Sequence, residues 1–241
     1  MAGHSKWKNI QHRKGAQDAK RGKVFTKIAI EITVAARMGG GNPDDNPRLR
    51  AALAKARAAN MPKDNYVRAI KKGTGELEGA NYLEKTYEGY GPGGVAVFVE
   101  CLTDNVNRTV SEVRFAFSKY GGNLGTDGSV GWMFNRKGML VYEKEQIADF
   151  DHLFETALEN GAEDVKEEDG QYEVTCKPED FMSLKAALDQ ICSEPVFCEV
   201  TQIPENLTAI DADKSESLEK MINALEDNDD VQNVYHNADL P

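Results

Sequence analysis

The chain has 241 residues, of which 40% are hydrophobic and 29% charged, and a net charge of −11. That is enough apolar material for packed cores, which excludes wholesale disorder, and no segment approaches the roughly 20 uncharged apolar residues of a membrane helix. The average conceals a division: residues 1–75 carry 17 Lys and Arg against 5 Asp and Glu, a net of +12, whereas residues 76–241 carry 12 against 35, a net of −23. Such asymmetry points to a polyanion, nucleic acid above all, at one end of the chain.

The first residues, MAGHSKWKNIQHRKG, contain no apolar run of the kind a secretory signal needs. Residues 1–17 are basic and poor in apolar side chains, which suits a solvated arm. A helix is expected from Asp18, its cap, to Met38, with Phe25, Ile28, Ile32 and Ala35 in one apolar stripe and Gly39-Gly40-Gly41 as its stop. After the turn chemistry of Asn42–Pro47, a second helix spans Pro47 to Asn60, buried through Leu49, Leu53 and Ala56. A third opens on Pro62, runs to Lys72 and closes at Gly73. Together these make a basic three-helix domain over residues 1–78.

From Tyr82 the period changes. Tyr82–Tyr90 and Val95–Leu102 read as strands joined by a Gly-Pro-Gly-Gly turn. A helix capped by Asp104 or Asn105 runs to Tyr120 with Val106, Val110, Val113 and Phe117 inward, and a glycine-rich loop, Gly121–Gly128, leads to a strand at Val130–Phe134. A compact series follows: strand Met139–Tyr142, helix Glu145–Asn160 buried through Ile147, Phe150, Phe154 and Leu158, a hairpin of Glu163–Lys166 and Gln171–Cys176 around Asp169-Gly170, helix Pro178–Cys192, and strand Val196–Ile203. This βαββαβ order is that of a ferredoxin-like unit. A helix (Lys214–Glu226) and a strand (Val231–Tyr235) end the chain. The expectation is an α+β protein in which a ferredoxin-like domain, 137–202, is inserted into a second α+β domain made of 79–136 and 203–241.

No reactive constellation emerges. The Gly15–Lys23 stretch fails the phosphate-loop pattern, because six residues separate Gly15 from Gly22 and Val24 stands where a hydroxyl is needed. Gly128-Ser129-Val130-Gly131 is not a nucleophile elbow. His4, His12, His152 and His236 lack metal-type partners, and the acidic clusters at Glu167–Asp169 and Glu226–Asp230 are explained by solvation. Cys101, Cys176, Cys192 and Cys198 form no CxxC and read as reduced core thiols of a cytoplasmic protein. No catalytic residue, metal or cofactor is expected.

The basic residues are the stronger signal. Lys6, Lys8, Arg13, Lys14, Lys20, Arg21, Lys23 and Lys27 are interleaved with Trp7 and His12; cations neutralise phosphates and an aromatic can stack on an unpaired base. Arg48, Arg50, Arg57, Lys63, Arg68, Lys71 and Lys72 extend the charge over the second and third helices. Alternatively, Trp7 and Ile10 fold back on the helices and the charges simply face water. The second and third helices fit a helix-turn-helix, yet few base-reading side chains beyond Lys63 and Asn65 gather at the start of the third.

MAGHSKWKNIQHRK, with DAKRGKVFTK after it, resembles the opening signature of the YebC/PmpR family. The likeness continues through NPRLRAALAKARAANMPKDN, YEGYGPGGVAV, TDNVNRTVSEVR and GGNLGTDGSVGW, essentially the whole chain; Gly41-Asn42-Pro43 departs where an Asp-Pro is expected. The resemblance implies a helical domain followed by two α+β domains. It also implies a cytoplasmic DNA-binding transcriptional regulator, with an alternative drawn from relatives that act in translation: a ribosome-associated factor that binds rRNA or tRNA and relieves stalled ribosomes. It supplies no catalytic residues. The acidic domains would be left to contact basic proteins, and no membrane is involved.

Overall fold

A computed structural model gives the fold over residues 21–240. The arm expected over 1–17 and the Asp18 cap lie outside the described residues. Three helices come first: α1 (Arg21–Gly39), α2 (Pro47–Ala58) and α3 (Lys63–Thr74). Ile32, Ala35 and Ala36 of α1 meet Leu49, Leu53 and Ala56 of α2 and Ala69 of α3 in one apolar core. Asn46 joins the first two. Its Oδ1 accepts from the Leu49 N–H at 3.0 Å, and its Nδ2 donates to the carbonyls of Ala35 and Gly40, each at 2.8 Å. One buried side chain therefore ends α1 and starts α2.

Two expectations for α3 are corrected. Pro62 precedes the helix, with ψ at 140°, rather than opening it, and the helix stops at Gly75 (φ 84°), not Gly73. Gly73 is a packing residue: a Cβ there would lie 2.4 Å from the Thr33 carbonyl oxygen and 2.7 Å from the Ala36 Cβ. Only glycine lets α3 approach α1 so closely. The expected stripe on α1 is also incomplete, because Ile30 and Val34 form a second apolar contact with Leu102.

β1 (Leu83–Tyr90) and β2 (Ala96–Thr103) pair as an antiparallel hairpin. α4 (Val106–Lys119) starts at Asn105, whose side chain accepts from the Arg108 N–H. A short β3 (Asn123–Leu124) adds to the β1 edge. Near the end of the chain come β8 (Thr208–Ala209), α7 (Ala212–Glu226), β9 (Val231–His236) and β10 (Ala238–Asp239). β9 pairs with β2, so the sheet order is β3-β1-β2-β9. Val97 and Val99 of the sheet meet Val113 and Phe117 of α4 and Leu218 and Met221 of α7 in the core.

Between these halves the chain forms a separate compact unit, Trp132–Leu207. It contains β4 (Phe134–Glu143), α5 (Phe150–Glu159), β5 (Ala162–Glu168), β6 (Gln171–Cys176), α6 (Phe181–Leu188) and β7 (Phe197–Pro204). The sheet order is β5-β6-β4-β7, antiparallel throughout. The fourth strand thus lies beside the first, then the third and second, the ferredoxin-like arrangement. The two strands expected at 130–134 and 139–142 differ from the structure: one strand, β4, runs unbroken from 134 to 143 and Val130 is loop. The helix expected from Glu145 begins only at Phe150, after a short turn at Lys144–Gln146 and a cap from Asp149. That delay rotates the face. Leu153 and Ala157 are buried, while Phe154 and Leu158 are exposed. α6 is likewise shorter than Pro178–Cys192, since Lys177–Asp180 closes as a turn before it.

Candidate nucleic-acid interface

α2 and α3 carry eight Lys and Arg against a single acid, Asp64. A four-residue turn, Ala59–Pro62, joins them, with Asn60 in the left-handed conformation at φ 56°. The turn brings Arg57 in the last turn of α2 and Lys63 at the start of α3 to one end of the pair. Arg68 and Lys71 continue the charge along the exposed side of α3, with Lys72 half-buried beside them. None of these five makes an ion pair among the described residues. Lys63 gains nothing from its helix, because the N-terminal end of the macrodipole disfavours a cation. Five uncompensated cations on two adjoining helices make a surface that attracts phosphate.

The other expected contacts are placed differently. Lys6, Trp7, Lys8, His12, Arg13, Lys14 and Lys20 lie outside the described residues, and Arg21 is the first residue given for α1. Lys23 and Lys27 are occupied within the protein. Lys23 Nζ donates to the Asp227 carbonyl at 2.7 Å and lies 3.6 Å from its carboxylate; Lys27 Nζ donates to the Glu226 carbonyl at 2.7 Å. Both therefore satisfy the carbonyl end of α7, where a helix terminus favours cations. Burial pushes the Lys27 ammonium below its ordinary pKa, and Glu226 and Asp229 push it partly back.

Arg48 is also engaged. It grips Glu31 of α1 through Nε at 2.7 Å and Nη2 at 3.1 Å, and Glu84 of β1 through Nη1 at 2.5 Å. The hydrogen bond to Glu31 is the main cause of its raised pKa. Arg50 donates to the carbonyls of Pro43 and Asp44 and shapes the loop before α2. These four side chains hold elements together, and sequence charge alone does not separate such a role from a free surface.

Two buried carboxylates hold the frame: Glu88, not singled out from sequence, and Asp230, expected in a solvated acidic cluster but buried, as is Glu226 of the same cluster. Glu88 of β1 accepts from the N–H groups of Gly128, Val130 and Gly131 at 2.9, 2.7 and 2.6 Å, fixing the end of the glycine-rich loop. Asp230 receives Arg108 through Nη2 at 2.7 Å and lies 2.7 Å from the Thr109 hydroxyl. Hydrogen bonding to Asp230 is the leading cause of the raised Arg108 pKa. Among the described residues no group of three or more His, Cys, Asp or Glu is placed to hold a metal ion.

Comparisons with known proteins match this architecture. The family model described as the TACO1/YebC protein N-terminal domain matches residues 5–76, and that of the TACO1/YebC second and third domain matches residues 82–238. A protein of Syntrophotalea carbinolica is 59% identical over 240 residues, covering 100% of this chain and 96% of the relative. One from Geobacter sulfurreducens is 58% identical with the same coverage. Both are named probable transcriptional regulatory proteins. The crystal structure of a conserved hypothetical protein from Aquifex aeolicus is similar, with a TM-score of 0.80 and 46% identity over 93% of this chain and 92% of that one.

Proposed function

The chain belongs to the TACO1/YebC family, and from that premise we propose that it is a DNA-binding regulator of transcription that acts in the cytoplasm without catalysis, metal or cofactor. The unpaired basic surface of α2 and α3 carries the reading. Arg57, Lys63, Arg68 and Lys71 take duplex phosphates, joined by the cations of residues 6–20, and released counterions drive the association. Phosphate contacts fix position on the duplex, while the scarcity of base-reading side chains at the start of α3, where Asn65 stands, limits direct sequence readout. The names of the relatives support a regulatory role. The acidic remainder of the chain repels phosphate and is free to meet basic proteins. No described helix is long and apolar enough to cross a membrane.

The test is duplex-DNA binding by fluorescence anisotropy over a series of salt concentrations. Arg57→Glu, Lys63→Glu, Arg68→Glu and Lys71→Glu together should weaken binding and flatten the salt slope by about 0.9 for each phosphate that is no longer neutralised. Binding unchanged by all four reversals removes α2 and α3 from the mechanism. Structured RNA serves as competitor: displacement of duplex at equal or lower concentration would move the reading to RNA and translation.

A further inference from the structure

The two helices of the Trp132–Leu207 unit lie on one face of its sheet, where Leu153 of α5 and Leu184 and Leu188 of α6 meet Leu140, Tyr142 and Val174. Side chains alternate between faces along a strand, so Met139 and Val141 of β4 and Phe197 and Ile203 of β7 belong to the other face. They form an apolar cluster of their own, each at most 6% exposed. A sheet buried on both faces has a layer on each side, and the helices of the unit supply only one. Every described member of the outer cluster is a strand residue.

The charge around the cluster selects the kind of cover. By register, five acids share its face, Glu143 on β4, Asp164 and Glu168 on β5, Glu173 on β6 and Glu199 on β7, against Lys137 and Lys166. Both lysines are in ion pairs with acids, Lys137 with Glu163 at 3.1 Å and Lys166 with Asp164 at 3.0 Å. Such a face repels phosphate and attracts cations. An apolar centre with an acidic border is complementary to a short segment in which a large apolar side chain stands between cations. The chain has one such segment that belongs to none of the described cores. Residues 1–17 hold Lys6, Lys8, Arg13 and Lys14, no acid, and Trp7 directly between two of the lysines. Trp7 precedes Arg21 by 14 residues, up to about 46 Å of extended chain, so the tether does not confine it to the helices that follow.

We propose that the outer face of this sheet is the docking site of the chain's own segment around Trp7, with the indole on the apolar cluster and Lys6 and Lys8 at the bordering carboxylates. The docking does not depend on the nucleic-acid reading above. Under that reading, sheet and phosphates compete for the same lysines, and the docked segment restrains binding until a polyanion displaces it.

The test uses the full-length protein with Trp132→Phe, which leaves Trp7 as the sole tryptophan. Acrylamide quenching of Trp7 and carbodiimide cross-linking, read by peptide mass spectrometry, are measured at low salt. Trp7 should be shielded, and amide links should join Lys6 or Lys8 to Glu143, Glu173 or Glu199 within one chain. Lys6→Glu with Lys8→Glu should abolish the shielding, and Glu199→Lys should abolish the shielding and the links. Salt at 1 M, where the Debye length falls to about 3 Å, should weaken both. A Trp7 as open to acrylamide in the native protein as in the urea-unfolded one overturns the inference, as do lysine links only to acids of other elements, such as Asp64. Links found only between chains give the face to a second copy and overturn it too. The two readings fail separately: links in a protein that binds no duplex support the docking and remove the nucleic-acid reading, whereas a protein that binds duplex without forming the links overturns the docking alone. Links undiminished at saturating duplex overturn the competition.

Discussion

Replacing Glu88 by glutamine asks whether one carboxylate holds the glycine-rich loop. Its two oxygens accept three backbone N–H groups, and the side chain is 7% exposed. Hydrogen bonds to a charged group contribute about 1.5–3 kcal/mol each and neutral ones about 0.5–1.5. Glutamine has one oxygen, so it keeps at best the two bonds from Val130 and Gly131 as neutral bonds and turns an N–H towards that of Gly128. The gross loss is about 3.5–6 kcal/mol. An amide is cheaper to bury than a carboxylate, which leaves a net loss of about 2–4 kcal/mol. Burial pushes the Glu88 carboxyl up, but the three N–H donors outweigh it, so its folded pKa lies below the ordinary 4.5. The stabilisation is therefore complete above the unfolded pKa and disappears as pH falls through the lowered folded value. Because the protein has two compact units, a global melt need not be two-state. Hydrogen exchange over residues 121–134 is the direct measurement. At pH 7 the variant should exchange about 30- to 1,000-fold faster there, with the difference from wild type narrowing below pH 4.5. Equal protection in the two proteins at pH 7 would refute the reasoning.

Gly73→Ala places a methyl against the Thr33 carbonyl and Ala36 and should cost about 2–4 kcal/mol by forcing α3 away from α1; calorimetry checks it, and an unchanged melting temperature contradicts the close approach. Asp230→Asn weakens the Arg108 and Thr109 contacts and leaves a buried network unbalanced, for an expected loss of about 2–4 kcal/mol in urea unfolding. Lys27→Met should lower stability by about 1–2 kcal/mol while duplex affinity at fixed salt stays within twofold; a large fall in affinity without loss of stability would return Lys27 to the binding surface. Burial pushes the Cys101 thiol up to about 12 and the Cys176 thiol to about 11, so iodoacetamide at pH 8 should leave both unmodified in the native protein while the half-buried Cys192 and Cys198 react first, as read by peptide mass spectrometry.

Much of this fold can be read from hydrophobic period alone. The Val113 and Phe117 stripe of α4, the Asp169-Gly170 hairpin and the βαββαβ order all follow from local pattern, because each has its own turn chemistry and one clear buried face. The misreadings have physical causes. α5 is misphased because Ile147, although buried, belongs to the turn before the helix. Gly73 looks like a stop because a glycine that ends a helix and one that admits a neighbouring helix are identical in sequence. Charge gives the basic surface as a whole but not its free members. Lys23, Lys27 and Arg48 differ from Arg57 and Lys63 in the carbonyls and carboxylates that other segments bring to them, at separations of up to 204 residues, and Arg50 in two carbonyls of the loop before its own helix.

The place of β9 has a consequence for biosynthesis. Its partner β2 ends at Thr103, while β9 starts at Val231, and the core they share also needs Leu218 and Met221. A nascent chain can complete all four strands of β4–β7 while the first sheet still lacks its neighbour on the β2 side. That edge of β2, with Val97 and Val99 beside it, remains open until the final residues have been made, a state prone to wrong pairing. The second sheet is thus finished before the first, and a chain cut after Leu207 retains every cation of α2 and α3 on a scaffold whose core was never closed.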